Sequence, residues 1–486
     1  MNEFNVSKTR ELDLCVSCEI CLAVCPVDAI SMEYSLGKFV PKINNDKCNK
    51  CKKCIDNCPG IDILPLDLSK ETDFDDILYG NYLECYTAFS KSEKIRKNST
   101  SGGIITALIK ELIETKEYQG AFVLEFDIFE QTPVRLNETN DVNKIVKASK
   151  SKYLPASVFN VINKLKENDN SKLIIVGTPC QLFGIKKFIK SNKINDDNIL
   201  LLGLFCSSTL NFNFLRFLQD SYTKHGETIE KFLYRTKEKY GWPGHSKIVF
   251  NSGRNVILDR TIRINLTKYF KLNRCLFCFD KANKSADIVF ADCYIKNKED
   301  VKGKSNILIR TTKGKQIFDK YAYLFHVEKE VVEEIWQSQN IQNEKQNLIF
   351  SKILAEEKSL KHDIEEIYEI KNSDKKQLKQ LQEYIEWGSH YRKRKIKNEL
   401  SKSLYLQSFK KLMLLVVDKL GIFLLPPLVL LKGYYVNKKT QQPRGDFDKE
   451  NIVIIGGKFF NEGAQAMSLV AMDQFKIRNN QSKLYH

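Results

Sequence analysis

Cys15-Val-Ser-Cys18-Glu-Ile-Cys21-Leu-Ala-Val-Cys25-Pro26 sets three cysteines three residues apart and a fourth four further on, directly before a proline. The spacing returns unchanged in Cys48-Asn-Lys-Cys51-Lys-Lys-Cys54-Ile-Asp-Asn-Cys58-Pro59, so eight of the fourteen cysteines belong to one internal repeat. A chain of 486 residues with 42% apolar side chains can bury real cores without staples, and the thiols are not needed for stability. The start, MNEFNVSKTRELDL, is polar, carries charges of both signs and has no apolar signal segment. No run of about eighteen uninterrupted apolar residues suggests a membrane span. The chain therefore reads as cytoplasmic, with thiols reduced and available to ligate metal.

The pattern C-x2-C-x2-C-x3-C-P is the signature of bacterial ferredoxins, in which the fourth cysteine of each run ligates the other cluster. The resemblance implies an α+β ferredoxin-like 2[4Fe-4S] domain over residues 1–70. One [4Fe-4S] cluster would take Cys15, Cys18, Cys21 and Cys58, and the other Cys48, Cys51, Cys54 and Cys25. Three cysteines in a tight loop can wrap three irons of a cubane, while a short helix carries the fourth toward the neighbouring cluster. Pro26 and Pro59 would direct the chain away after the last ligand. CxxC pairs also bind structural zinc, but zinc sites seldom show two identical four-cysteine runs ending in Cys-Pro. Two clusters conduct electrons without choosing a substrate.

Beyond an acidic connector around Glu71–Asp76, the stretch Asn98-Ser-Thr-Ser101-Gly102-Gly103-Ile104 reads as a Ser/Gly loop opening an amphipathic helix to Ile113. A helix start of this kind offers free amides to phosphate, although a serine-capped surface helix has the same sequence. Residues 172–176 predict a buried strand, Gly177-Thr-Pro-Cys180 a turn, and Gln181 to Ile189 a helix with Leu182, Ile185, Phe188 and Ile189 on one face. Ile199 to Phe205 predicts a second strand, ending at Cys206. In a doubly wound parallel sheet the carboxyl ends of such strands share a crevice, so Cys180 and Cys206 should face one pocket. With Cys275-Leu-Phe-Cys278 they make a set of four thiolates, and hence a third [4Fe-4S] site. The alternatives are cysteines buried as small hydrophobes, or Cys180 alone as a reactive thiolate at a helix N-terminus.

Thr100-Ser-Gly-Gly-Ile104, Ser151-Lys-Tyr153, Gly177-Thr-Pro-Cys-Gln181, Gly241-Trp-Pro-Gly244 and the run from Cys275 to Asp287 together resemble the family of beta subunits of coenzyme F-420 (deazaflavin) hydrogenases and dehydrogenases. The resemblance covers roughly residues 80–340 and implies a larger α/β flavin-binding domain that carries FAD and an iron-sulfur cluster. It makes Ser101, Gly102, Gly103, Lys152 and Tyr153 the flavin-site candidates: amides for the pyrophosphate, a lysine for charge, a ring for stacking. Where the family usually has Gly-Asp followed by an aromatic, this chain has Ala291-Asp292-Cys293-Tyr294, which loosens any assignment of substrate. Ferredoxin or another redox protein would be the partner, and a small molecule the substrate.

From Glu328 to Glu399 the chain is charged and helix-forming, the start of a helical tail over residues 341–440. Between Tyr391 and Thr440 stand twelve Lys or Arg against two acids, more than half of the +17 net charge. No nucleic-acid-binding motif accompanies that charge, and nucleic acid is not expected as a partner. Tyr405, Phe409, Leu412, Met413, Val416, Val417 and Leu420 fall on one helical face flanked by lysines, followed by an apolar stretch broken at Pro426-Pro427. Such a helix can lie peripherally on an anionic inner membrane surface, or pack on another domain. Asn451-Ile-Val-Ile-Ile455 through Val470, within residues 450–486, resembles the first strand and helix of a polysaccharide pyruvyl transferase. One strand and one helix cannot close such a domain, so the segment points to a setting in surface-polysaccharide synthesis rather than to that activity. The leading reading is an iron-sulfur flavoprotein oxidoreductase. The alternatives are a fragment of a bifunctional pyruvyl transferase fusion, or a non-catalytic electron-transfer subunit.

Overall fold

The computed structural model describes residues 5–61, 78–127, 133–358 and 370–420. The acidic connector, the apolar stretch after Leu420 and the transferase-like segment lie outside them. The chain divides into two units, Met1–Tyr391 and Arg392–His486. The described part of the second is a single helix, Lys393–Leu420.

The first unit opens with the two cysteine loops, each followed by a short helix, Ile20–Val24 and Lys53–Asp56. Between them lies an antiparallel hairpin, β1 (Ile30–Ser35) and β2 (Lys38–Ile43). Its two-residue turn, Leu36-Gly37, has positive φ at both positions, the twist-matched form for a tight hairpin.

The remaining strands of the unit are β3 (Glu84–Ser90), β4 (Gly120–Phe126), β5 (Val134–Thr139), β6 (Leu173–Gly177), β7 (Ile199–Leu204), β8 (Ile229–Thr236), β9 (His245–Phe250), β10 (Asn255–Leu258), β11 (Ile288–Asp292), β12 (Ser305–Ile309) and β13 (Phe325–Lys329). Eight of them form one sheet in the order β13-β3-β12-β11-β7-β6-β4-β5. Its centre, β4, β6, β7 and β11, is parallel. These strands read as near-continuous apolar runs such as Leu173-Ile-Ile-Val and Ile199-Leu-Leu-Leu because both faces are covered. The core on one face joins Leu108, Leu112, Ile174, Leu202, Phe290 and Phe318.

The sheet is not wholly parallel, as expected, but mixed: β5, β12 and β13 each run antiparallel to a neighbour. The chain between β11 and β12 holds no helix, so it cannot make the crossover that a parallel return needs. Phe325–Lys329, partly within the stretch read as helix from Glu328, is an edge strand, held by its pairing with β3. The predicted strand, turn and helix around Cys180 are present as β6 and Pro179–Ser191. The strands β8, β9 and β10 form a separate antiparallel sheet.

The cysteine-rich start packs on this α/β body. Val158 donates its amide to the Cys18 carbonyl at 2.9 Å, and Phe212 to Gly37 at 2.7 Å. Helix Pro179–Ser191 meets it at Gly184, where a β-carbon would come within 2.4 Å of Ile20 and 3.3 Å of Pro59. The missing side chain is what lets the two parts approach there.

Candidate functional site

The two cysteine loops share one backbone form. Ser17 and Glu19 have φ of 56° and 62°, and the equivalent Lys50 and Lys52 have 58° and 62°. Non-glycine residues seldom adopt this conformation, and here it curls each loop around a cavity. One cavity is lined by Cys15, Cys18, Cys21 and Cys58. The other is lined by Cys25, Cys48, Cys51 and Cys54. Each fourth cysteine thus sits with the opposite three, carried across by its short helix.

Among the described residues no three His, Cys, Asp or Glu side chains close on a point where one ion could sit. Four thiols line each space, one for each iron of a [4Fe-4S] cubane. Burial pushes the Cys15 thiol up to about 11 against the pull of Lys38, and Cys54 also to about 11. Cys18 and Cys21 are raised well above the usual thiol range, chiefly by burial. These thiols become thiolates only when a positive centre stands beside them.

The set containing Cys15 is the inner one. Lys38, only 3% exposed, pairs with Asp13 at 2.6 Å and donates to the Cys15 carbonyl at 3.1 Å. Arg274, 4% exposed, donates to the carbonyls of Gly60 at 2.8 Å and Pro59 at 3.1 Å, just past Cys58. Its Nη1 has no hydrogen-bond partner. The adjacent Cys275 opens the third thiol set.

Cys180 stands in the first turn of helix Pro179–Ser191, after β6, and Cys206 follows β7. The two strands are parallel neighbours, so both thiols lie at the carboxyl edge of the sheet. Asn283 ties the strand ends together, donating to Gly177 at 3.0 Å and Leu204 at 3.2 Å. The Cys275–Cys278 loop is held from behind by helix Glu344–Lys358, where Asn347 donates to the Cys278 carbonyl at 2.7 Å. Burial raises Cys206 well above the usual range and Cys278 to about 12, and in both the charges of Cys180 and Cys275 add to the rise. Burial also raises Cys180. The inner set is tied to this third one by Arg274, which precedes Cys275 and holds the carbonyls just past Cys58. Of the other cysteines, Cys85 and Cys293 are buried in the sheet region and belong to none of the three sets.

The flavin candidates are also brought together, in part. The amide of Ser151 donates to Thr100 at 3.2 Å, joining the two motif segments. Gly103, at φ 80°, precedes helix Ile104–Glu114, whose first-turn amides have no intrahelical acceptors. Gly102 does a different job from the one expected: its amide donates to Ser305 at 3.0 Å, and a β-carbon there would meet the Ala88 carbonyl at 2.7 Å. Lys152 donates to the carbonyls of Ala148, Ser149 and Lys150 at 2.6, 3.1 and 2.9 Å, and burial lowers its pKa to about 7. Tyr153 stacks on Tyr234 with ring centroids 3.9 Å apart.

Sequence reasoning passed over several neighbours. Arg235, 4% exposed, pairs with Asp292 and leaves Nη2 without a partner. Lys237 donates to the Ser101 carbonyl at 2.9 Å, and burial lowers it to about 8. Stacked rings, an orphaned guanidinium nitrogen and open helix amides are donors and surfaces that an anionic aromatic cofactor such as FAD would use. The chain around Tyr153 is joined to the segments that carry Cys206 and Cys180: Leu210 donates to the Tyr153 carbonyl at 2.8 Å, and Gln181 to that of Ala156 at 3.2 Å.

Comparison with known proteins bears on both parts. Residues 14–60 match the 4Fe-4S dicluster domain. Residues 85–163 and 170–334 match the N-terminal and C-terminal parts of the coenzyme F420 hydrogenase/dehydrogenase beta subunit. The coenzyme F420-dependent sulfite reductase of Methanocaldococcus jannaschii is 24% identical over 65% of this chain and 47% of its own length, so the chain spans about half of that relative. One subunit of the F(420)H(2) dehydrogenase of Methanosarcina mazei is 22% identical, over 65% of this chain and 84% of its own. The coenzyme F420 hydrogenase subunit beta of Methanosarcina barkeri is 26% identical, over 54% and 86%. Among solved structures, a chain of the F420-reducing [NiFe] hydrogenase complex of that organism aligns with TM-score 0.45 and 21% identity, over 59% of this chain and 95% of its own.

Proposed function

The chain belongs to the family of coenzyme F420 hydrogenase/dehydrogenase beta subunits through residues 85–163 and 170–334, and on that premise we propose that it is an iron-sulfur flavoprotein oxidoreductase. It would pass electrons from its N-terminal [4Fe-4S] clusters, by way of a third, to FAD and a small substrate or coenzyme. The reading is carried by the succession of thiol sets: outer, inner, then the set at the ends of β6 and β7, which Arg274, next to Cys275, ties to the carbonyls just past Cys58.

The roles of this chain's residues follow from their chemistry. Cys25, Cys48, Cys51 and Cys54 would hold the outer cluster, Cys15, Cys18, Cys21 and Cys58 the inner, and Cys180, Cys206, Cys275 and Cys278 the third. FAD, when bound, would link one-electron and two-electron chemistry. The amides that open helix Ile104–Glu114, with Ser101 and Gly103 before them, would receive its phosphates. Tyr153 and Tyr234 offer a ring surface and Arg235 positive charge, while Lys152 and Lys237, whose amines donate to backbone carbonyls, would brace the loops around the cofactor rather than charge it. Denaturing the anaerobically purified protein should release a fluorescent flavin, and metal analysis should find about twelve irons per chain. No flavin would remove the central claim, and about eight irons would remove the third cluster.

A cytoplasmic location is part of the same proposal, as is contact of the basic tail with an anionic membrane surface. No described helix is long and apolar enough to cross a membrane. The membrane contact is lost if a chain ending near Glu399 pellets with anionic liposomes as well as the full chain does. The polysaccharide setting rests on residues 451–470 alone.

A further inference from the structure

The outer thiol set is ringed by lysines in a way that holding a cluster does not require. Lys50, Lys52 and Lys53 stand between its cysteines and Lys47 directly before them, all four exposed, and Cys51 is itself exposed. At the equivalent positions the inner run has Ser17, Glu19, Ile20 and Leu14, all buried. The cysteine spacing and the left-handed loop positions are the same in both runs, so the cage does not demand cations.

We propose that the rim of Lys47, Lys50, Lys52 and Lys53 around Cys51 is the docking surface for an acidic one-electron carrier protein. The proposal rests on the reading above only in requiring a cluster at Cys25, Cys48, Cys51 and Cys54. The reduced carrier gives up one electron, and that cluster takes it. No bond is made or broken, and no proton needs to move. Protein electron carriers form small, short-lived contacts. Opposed charges bring such partners together quickly without binding them tightly, and salt weakens the effect. Anionic lipid or nucleic acid could satisfy the lysines, but neither gives a reason for the charge to surround the one cysteine of these two runs that is exposed. Electron transfer does, because the redox centres must approach edge to edge.

The test uses the full chain with its clusters reconstituted anaerobically, and a reduced acidic ferredoxin as the probe. Stopped-flow mixing follows bleaching of this protein's clusters at low and high salt. The wild type should react roughly tenfold more slowly at high salt. K47E/K53E should react roughly tenfold more slowly than wild type at low salt and lose most of its salt dependence. Its cluster EPR signals and its reduction by methyl viologen radical should be unchanged. If the charge reversal disturbs the EPR signals, K47Q/K53Q takes its place and should show a smaller loss in the same direction. Equal rates and equal salt slopes for wild type and variant overturn the proposal. So does an unchanged ferredoxin rate together with lost binding to anionic vesicles or DNA. Salt-dependent cluster reduction in a protein without flavin leaves this inference standing and removes the flavin reading, while salt-insensitive reduction in a flavin-loaded protein does the opposite.

Discussion

The runs Cys15–Cys25 and Cys48–Cys58 have the same spacing, the same two left-handed positions and the same exchange of a fourth cysteine, yet they occupy opposite environments. In the first, Val16, Ser17, Glu19, Ile20, Ala23 and Val24 are buried. In the second, Asn49, Lys50, Lys52, Lys53 and Asp56 are exposed. Spacing builds the cage. The residues between the cysteines set where that cage stands, against the α/β body or against solvent.

The most damaging way to probe the contrast is to remove one thiol from each cage. Cys18→Ser should lose the inner cluster, about four irons, and loosen the surface where the Cys18 carbonyl meets Val158. Cys51→Ser should lose a similar amount of iron but leave that surface alone. Iron analysis paired with thermal melting checks this, with the Cys18 variant melting several degrees lower. Equal melting points would mean that burial of the inner run does not matter to the fold. Cys25→Ser sharpens the point, since the residue belongs to the inner run but lines the outer cavity. Its EPR should keep the inner signal and lose the outer.

Next in size is Arg274, which holds the chain just past Cys58 at the inner cage. Arg274→Met leaves the carbonyls of Pro59 and Gly60 without this donor. Buried groups of this kind cost about 1–3 kcal/mol each, so a loss of roughly 2–6 kcal/mol is expected in a denaturant melt. Arg274→Lys should recover part of it. A melt identical to wild type would show that the inner cage does not depend on this link.

These residues also mark what could be read from the sequence. The cages were legible because each loop and helix lies within about a dozen residues, and the run that receives each crossing repeats the same spacing. Cys180 and Cys206 were legible because a strand followed by a turn places them at a sheet edge whatever lies further away. Arg274 was not, because its partners are 214 and 215 residues earlier in the chain and nothing near it signals them. Gly102 misled for the same reason. Its Ser/Gly setting resembles a phosphate loop, but its amide is taken by Ser305, from a strand about two hundred residues on. The mixed sheet was hidden because apolar strands look alike in either direction, and only the missing helix between β11 and β12 separates the two cases.

The smallest expected effect concerns how charge is felt at the two cages. Lys38 is buried beside Cys15, whereas the lysines of the outer rim are in water. A positive charge favours the reduced cluster because reduction adds an electron. In water at physiological salt that influence fades beyond about 8 Å, while a buried charge is screened far less. Lys38→Met also leaves Asp13 without its 2.6 Å partner, so both changes push the same way. The inner cluster's potential should become more negative by an amount on the order of tens of millivolts, with the outer potential unmoved. Raising the salt should do the reverse, shifting the outer potential slightly and the inner hardly at all. EPR-monitored redox titrations at two ionic strengths measure all four quantities. If both potentials follow salt alike, the two cages differ in sequence but not in electrostatic environment, and the contrast between them is reduced to packing.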